Sequence, residues 1–183
     1  MVRCKNGEDR LIVFRPVTLF DGKQYITYED ITGMCTAEHD LQETLETMQN
    51  IVDFLPDATF VIDKEKRVIA WNRAMEDLTG VQQEEMLGRS DYAYAAPFYG
   101  SFRPILIDLV DREDPEIESK YGVFRRESGA VMAEGYLKLP PDCHERLLQG
   151  KAAPLYDSRR NRVGAIQSIR DITSLRAERE SGP

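Results

Sequence analysis

The sequence Asp-Ile-Thr closes a hydrophobic alternation twice in this chain. It does so in "YITYEDITGMCTAEHDL", from Tyr25 to Leu41, and again in "AIQSIRDITSLRAERE", from Ala165 to Glu180, and both times a helical pattern follows. In the first copy two apolar-rich runs, Leu11 to Phe20 and Gln24 to Thr32, flank Asp21-Gly22, the dipeptide suited to the positive backbone angles of a tight hairpin. In the second, Leu147 to Tyr156 and Val163 to Thr173 flank the polar turn "DSRRN". Pro16 parallels Pro154, and Phe20-Asp21 parallels Tyr156-Asp157. Nothing before Leu11 supplies the rest of a domain. Residues 1–33 therefore read as the closing hairpin of a truncated unit, followed by a complete copy of it.

Composition narrows what such a chain can do. The 183 residues are 42% hydrophobic, enough for a packed core, and no apolar run approaches the roughly 20 residues of a membrane helix. The polar start "MVRCKNGEDR" lacks the apolar core of a secretion signal, so a cytoplasmic location is expected. A formal charge of −8 without a basic stripe gives nucleic acid no electrostatic footing. Cys4, Cys35 and Cys143 are odd in number and widely spaced, a pattern of reduced thiols rather than of a disulfide framework or a zinc site.

Residues 34–55 read as a linker helix. Leu41, Leu45, Met48, Val52 and Leu55 recur at alternating spacings of four and three, the seam of a coiled coil, with Glu43, Glu46, Gln49 and Asp53 off it. Pro56 ends the helix. Full burial of each seam residue would contribute about 1.5–3 kcal/mol, against an association cost of ~4–15 kcal/mol. The seam alone would barely hold a dimer. Packing of the stripe on the chain's own sheet is the competing reading.

From Asp57 the complete unit begins. "ATFVIDKEKRVIAWN" reads as a hairpin, Ala58 to Ile62 with Arg67 to Trp71. Asn72 stands at the cap of "RAMEDLTG", and Gly80 at its stop. "QQEEML" gives a second short helix ending at Gly88, and "SDYAYAAPFYGSFR" an irregular stretch. "PILIDLVDR" puts Ile105, Leu106, Leu109 and Val110 on one helical face. "DPEIESKYGVFRRESG" reads as partly helical, and "AVMAEGYLKL" as a strand before the final hairpin. The order gives an α+β domain, an antiparallel sheet with helices on one face.

The run "LPDATFVIDKEKRVIAWNRAMEDLTGVQQEEMLGRSDY" and the later "GKAAPLYDSRRNRVGAIQSIRDIT" resemble a PAS domain of the bacterial and archaeal sensor type, over about Asp53 to Thr173. The resemblance implies a PAS fold, a five-stranded antiparallel sheet flanked by short helices around a small-molecule pocket. It also implies tandem domains in sensor kinases and other regulators, joined by signalling helices. Residues 56–173 are then the PAS domain, and 174–183 the start of an output helix in a longer parent protein. The leading hairpin resembles the end of a preceding PAS domain, and the linker helix implies a homodimer.

No cofactor is named by these residues. The cysteinyl-flavin light sensors need a cysteine motif where this chain has "WNRAMEDLTG", and haem-binding members use a histidine where "RPILIDLVDR" has none. His39 and His144 read as solvated, His39 lacks the second helix and ATP-binding domain of a kinase phosphoacceptor, and Cys143 and His144, adjacent in an extended chain, point apart. No catalytic residue or metal site is expected. Pocket candidates are Phe60, Ile62, Trp71, Leu106 and Val110, with polar tips from Tyr92, Tyr94, Tyr99, Arg103 and Lys138, and with Asn72 as cap or contact. A filled core is the plainer reading of the same residues. The functional expectation is a ligand- or partner-binding sensory module. The alternatives are a dimerisation module without ligand, and an enzyme built on Cys143 and His144.

Overall fold

Both Asp-Ile-Thr sequences make the same set of hydrogen bonds. Asp30 Oδ1 accepts from the Thr32 amide at 3.0 Å and from its hydroxyl at 2.6 Å, Thr32 Oγ1 accepts from the Leu11 amide at 2.8 Å, and Ile31 donates to the Leu11 carbonyl at 2.9 Å. In the second copy Asp171 Oδ1 accepts from Thr173 at 2.9 and 2.5 Å, Thr173 Oγ1 accepts from the Leu147 amide at 2.9 Å, and Ile172 donates to the Leu147 carbonyl at 2.9 Å. One carboxylate thus ends a strand, and one hydroxyl fastens the start of a helix to the neighbouring strand.

The computed structural model describes residues 2–3, 8–18, 20, 23–139 and 144–180. They divide into two compact units, Met1–Asn50 and Ile51–Pro183. In the first, β1 (Val2–Arg3) pairs with β2 (Asp9–Arg10), and β3 (Ile12–Thr18) pairs antiparallel with β4 (Gln24–Asp30). The Asp21-Gly22 turn lies outside the described residues. Phe14, Ile26 and Tyr28 share one face of the hairpin and are all exposed. The proline parallel needs correcting. Counted from the shared base, where Ile12 faces Asp30 and Leu148 faces Asp171, Pro16 corresponds to Ala152; it matches Pro154 only when counted from the turn, because the second hairpin is longer. Helix α1 (Thr32–Asp53) buries none of its residues. It stops at Asp53, so Leu55 lies beyond the last turn, where its amide still reaches the Val52 carbonyl at 3.2 Å.

The second unit is built on one antiparallel sheet. Its strands are β5 (Ala58–Asp63), β6 (Val68–Trp71), β7 (Val123–Glu127), β8 (Ala130–Lys138), β9 (Glu145–Tyr156) and β10 (Arg162–Asp171), in the order β6-β5-β10-β9-β8-β7. Five strands are expected from the sequence and six are present. The addition is β7, joined to β8 through Ser128-Gly129, both at positive φ as a two-residue hairpin requires. Between β6 and β7 run α2 (Arg73–Thr79), α3 (Gln83–Met86), α4 (Ala96–Tyr99) and α5 (Pro115–Glu118). The expected helix in "PILIDLVDR" is only a 3₁₀ turn over Leu106–Val110, and it is not one-sided: Leu106, Ile107, Asp108 and Leu109 are all buried. Asp108 Oδ2 accepts from the Ile105 amide at 2.9 Å, which holds the segment in that tight form. Helix α6 (Thr173–Glu180) follows β10. No helix among the described residues is long and apolar enough to cross a membrane.

The bulge in β10 rests on a glycine. A Cβ at Gly164 would lie 2.1 Å from the Ile62 carbonyl oxygen, a backbone atom that cannot swing aside. Gly164→Ala is expected to lower stability by about 1–3 kcal/mol or more, read as a fall in the urea midpoint; an unchanged midpoint would contradict this account of the β5/β10 contact.

Candidate functional site

Small residues on the inner face of the sheet leave a hollow. Register places Phe60, Gln167, Ala152 and Val131 in one row across the strands, and Ala58, Ile169, Gly150, Ala133 and Phe124 in the next. Gly150 and Ala133 stand side by side, and Leu106 descends so far onto Gly150 that a Cβ there would meet Leu106 Cδ2 at 2.8 Å. Beside this contact lies a partly open cavity of about 310 Å³, bordered by residues of the 98–106 and 117–123 segments.

Its walls are mainly apolar, with Leu106, Ile117 and Ile169 among them; the polar side chains in its lining include Tyr99, Arg103, Tyr121 and Gln167, together with Lys120, Glu134 and Arg176. Gln167 is 4% exposed and its Oε1 has no hydrogen-bond partner; Arg103 Nε is likewise buried and unpartnered. The Arg103 guanidinium lies 3.8 Å from the centre of the Tyr99 ring, a cation–π distance that holds its plane. Burial, then the adjoining Tyr99 phenol, pushes the Tyr121 hydroxyl well above the ordinary tyrosine range, so it stays protonated. Unmet buried polar groups cost free energy, and a cavity is where a bound molecule can meet them.

Of the residues expected from the sequence, Tyr99, Arg103 and Leu106 line this cavity. Phe60, Ile62 and Trp71 are fully buried in the core, with the Phe60 ring 5.7 Å from Trp71 and 5.4 Å from Tyr94. Val110 packs partly buried against that core, and Lys138 is exposed. Tyr94 donates its hydroxyl to Asp108 at 3.0 Å; burial, and then the Asp108 charge, raise its pKa far beyond the usual value. Asp108 also takes Lys66 Nζ at 2.5 Å, and Lys66 lies over the Tyr92 ring at 5.2 Å. This buried carboxylate, in the middle of "LIDLVDR", was not foreseen, nor were Gln167 and Tyr121. Gln167 could have been found only by fixing the phase of "AIQSIRD", where Ile166 and Ile169 support opposite faces.

Asn72 is a cap and more. It is fully buried; its Oδ1 accepts from the Thr59 amide at 2.8 Å and the Met75 amide at 3.0 Å. Its Nδ2 lies within hydrogen-bond reach of the carbonyls of Val52 (3.2 Å), Leu55 (3.3 Å) and Asp57 (3.0 Å). One amide therefore ties the end of α1, the start of β5 and the first turn of α2. Of the seam residues, Leu41, Leu45 and Met48 are more than half exposed, Leu55 is 37% exposed and Val52 is partly buried. His39 and His144 are exposed, and Cys143 lies outside the described residues. Among the described residues no cluster of three or more His, Cys, Asp or Glu side chains could hold a metal ion.

Residues 46–172 match the family model for the PAS fold. The chain belongs to the PAS family. PAS domains are sensory and signalling modules, generally non-enzymatic. Solved structures of similar fold include the PAS domain of Bordetella pertussis BvgS (22% identity, TM-score 0.46, covering 75% of this chain and 99% of that one). The PAS domain of an HTR-like protein from Haloarcula marismortui is another (19%, TM-score 0.46, 75% and 98%). A phage VqmA–DPO complex is a third (17%, TM-score 0.50, 79% and 60%). No curated protein matches the chain.

Asn72→Ala removes a cap and leaves buried amides and carbonyls unmet, so a loss of about 2–4 kcal/mol is expected. Asn72→Asp, which keeps the acceptor and loses the donor, should fall between. Thermal or urea unfolding of the two variants checks the order, and equal stability of Asn72→Ala and the parent would contradict the role.

Proposed function

We infer that this PAS protein is a non-catalytic sensory module that takes a small molecule into the cavity beneath Leu106 and passes its occupancy to helix α1. The observation that carries the reading is the pair of buried, unpartnered polar atoms, Gln167 Oε1 and Arg103 Nε, in the lining of a mainly apolar cavity. A filled core has no reason to keep them unmet. Asn72 supplies a route outward, since strand β5 of the sheet and the carbonyls of Val52 and Leu55 share its side chain. A ligand shifts such a system only by binding two arrangements with unequal affinity. Support from the fold is that VqmA, of similar fold, was solved in complex with DPO.

The reading makes the module a homodimer through the stripe of Leu41, Leu45, Met48 and Val52 on α1. It sits in the cytoplasm as part of a longer signal-transduction protein, a sensor kinase among the options. The matching hydrogen bonds of the two Asp-Ile-Thr sequences support reading residues 1–33 as the closing hairpin of a second PAS-like unit, and α1 and α6 as equivalent signalling helices. A second reading, a dimerisation or partner-binding module without ligand, is favoured by the uncovered apolar face of Phe14, Ile26 and Tyr28.

Leu45→Glu puts a charge into the stripe and is expected to convert a dimer to monomer in sedimentation equilibrium. If the variant stays as dimeric as the parent, the stripe is not the contact.

A further inference from the structure

Charge around the cavity is not balanced. Besides Arg103, the ionic residues in its lining are Lys120, Glu134 and Arg176. Lys120 pairs with Glu116 at 3.3 Å, and Glu134 pairs with Arg176 at 3.7 Å while accepting from Gln149 Nε2 at 2.9 Å. Each of those charges has an opposite partner. Arg103 has no ion pair among the described residues; its neighbour is the flat face of Tyr99. In a chain of net charge −8, the one uncompensated charge at this cavity among the described residues is positive.

Resting on the sensory reading above, we propose that the cavity recognises a small monocarboxylate, a molecule of about one six-membered ring, with its acid group on the Arg103 guanidinium and a hydroxyl or amino donor on Gln167 Oε1. The guanidinium presents its N–H groups as a planar fork that matches a carboxylate. Stacking on Tyr99 fixes that plane before anything binds, which lowers the ordering cost of recognition. Size fits, because a cavity of about 150 Å³ already admits benzene and this one holds about 310 Å³. Leu106, Ile117 and Ile169 supply the apolar walls a ring or short chain needs, and they offer nothing to a strongly hydrated dianion. The Gln167 amide oxygen, buried beside small Ala152 and Gly150, can accept only from a molecule that reaches into the hollow.

Calorimetric titration of the full chain, shown free of bound small molecules by native mass spectrometry, tests this with 4-hydroxybenzoate, benzoate and the neutral benzyl alcohol. The expected order is 4-hydroxybenzoate, then benzoate, then benzyl alcohol. Arg103→Gln should weaken both acids by about tenfold or more and leave benzyl alcohol unchanged, a loss on the scale of a charged hydrogen bond. Arg103→Lys should fall between. Gln167→Met should abolish the preference for 4-hydroxybenzoate over benzoate. Benzyl alcohol binding as tightly as the acids, or acids indifferent to Arg103→Gln, would overturn the charge assignment while leaving the cavity as a ligand site. Binding of none of the three would remove both. A co-purifying small molecule, if found, must be an acid; a neutral one contradicts the proposal.

Discussion

The structure of the second unit depends on the side chain of Asn72. It stands where β6 gives way to α2, and its single amide meets the amides of Thr59 and Met75 and the carbonyls of Val52, Leu55 and Asp57. No other residue type of this size both accepts and donates in one plane. Without it, β5, α2 and the end of α1 would each have to satisfy these backbone groups separately. The same side chain thus touches both β5, at the Thr59 amide, and the end of α1 with the residues after it, at the carbonyls of Val52 and Leu55.

The cavity has its origin in volume. Ala133, Gly150 and Ala152 occupy positions on the inner face where larger aliphatic side chains would fill the space under the 3₁₀ turn. Leu106 enters the gap over Gly150 but does not close it. At the other side of that turn Asp108 is fastened by Lys66, Tyr94 and the Ile105 amide, so the segment cannot drop further to close the hollow. The anchored turn and the small residues beneath it are one arrangement: the first holds the roof up and the second lowers the floor.

Much of this was legible in the sequence where the physics is local. The Asn72 cap, the stops at Gly80 and Gly88, and the three hairpins β3/β4, β5/β6 and β9/β10 depend on neighbours close along the chain. What stayed hidden depends on partners far along the chain. Strand β7 is an edge strand whose Arg125, Arg126 and Glu127 disguise its alternation, and Arg126 is spoken for by the Leu109 carbonyl at 2.7 Å and by Glu118. Its one local signal was Ser128-Gly129. Asp108 reads as a solvent-facing charge until Lys66 is brought beside it. Gln167 sits in a strand with aliphatic residues on both faces, so the alternation does not say which way it points, and only the register with Phe60 and Ala152 turns it inward.

The central claim is that the inner face of the sheet carries an unfilled, partly polar hollow rather than a closed core. Crystallographic density at atomic detail around Gln167 tests it most directly. The account requires an open space bounded by Leu106, Ile117 and Ile169, with a molecule or ordered water meeting the Gln167 amide and the Arg103 guanidinium. Side chains of the protein filling that space, with Gln167 Oε1 hydrogen-bonded to the chain itself, would contradict it.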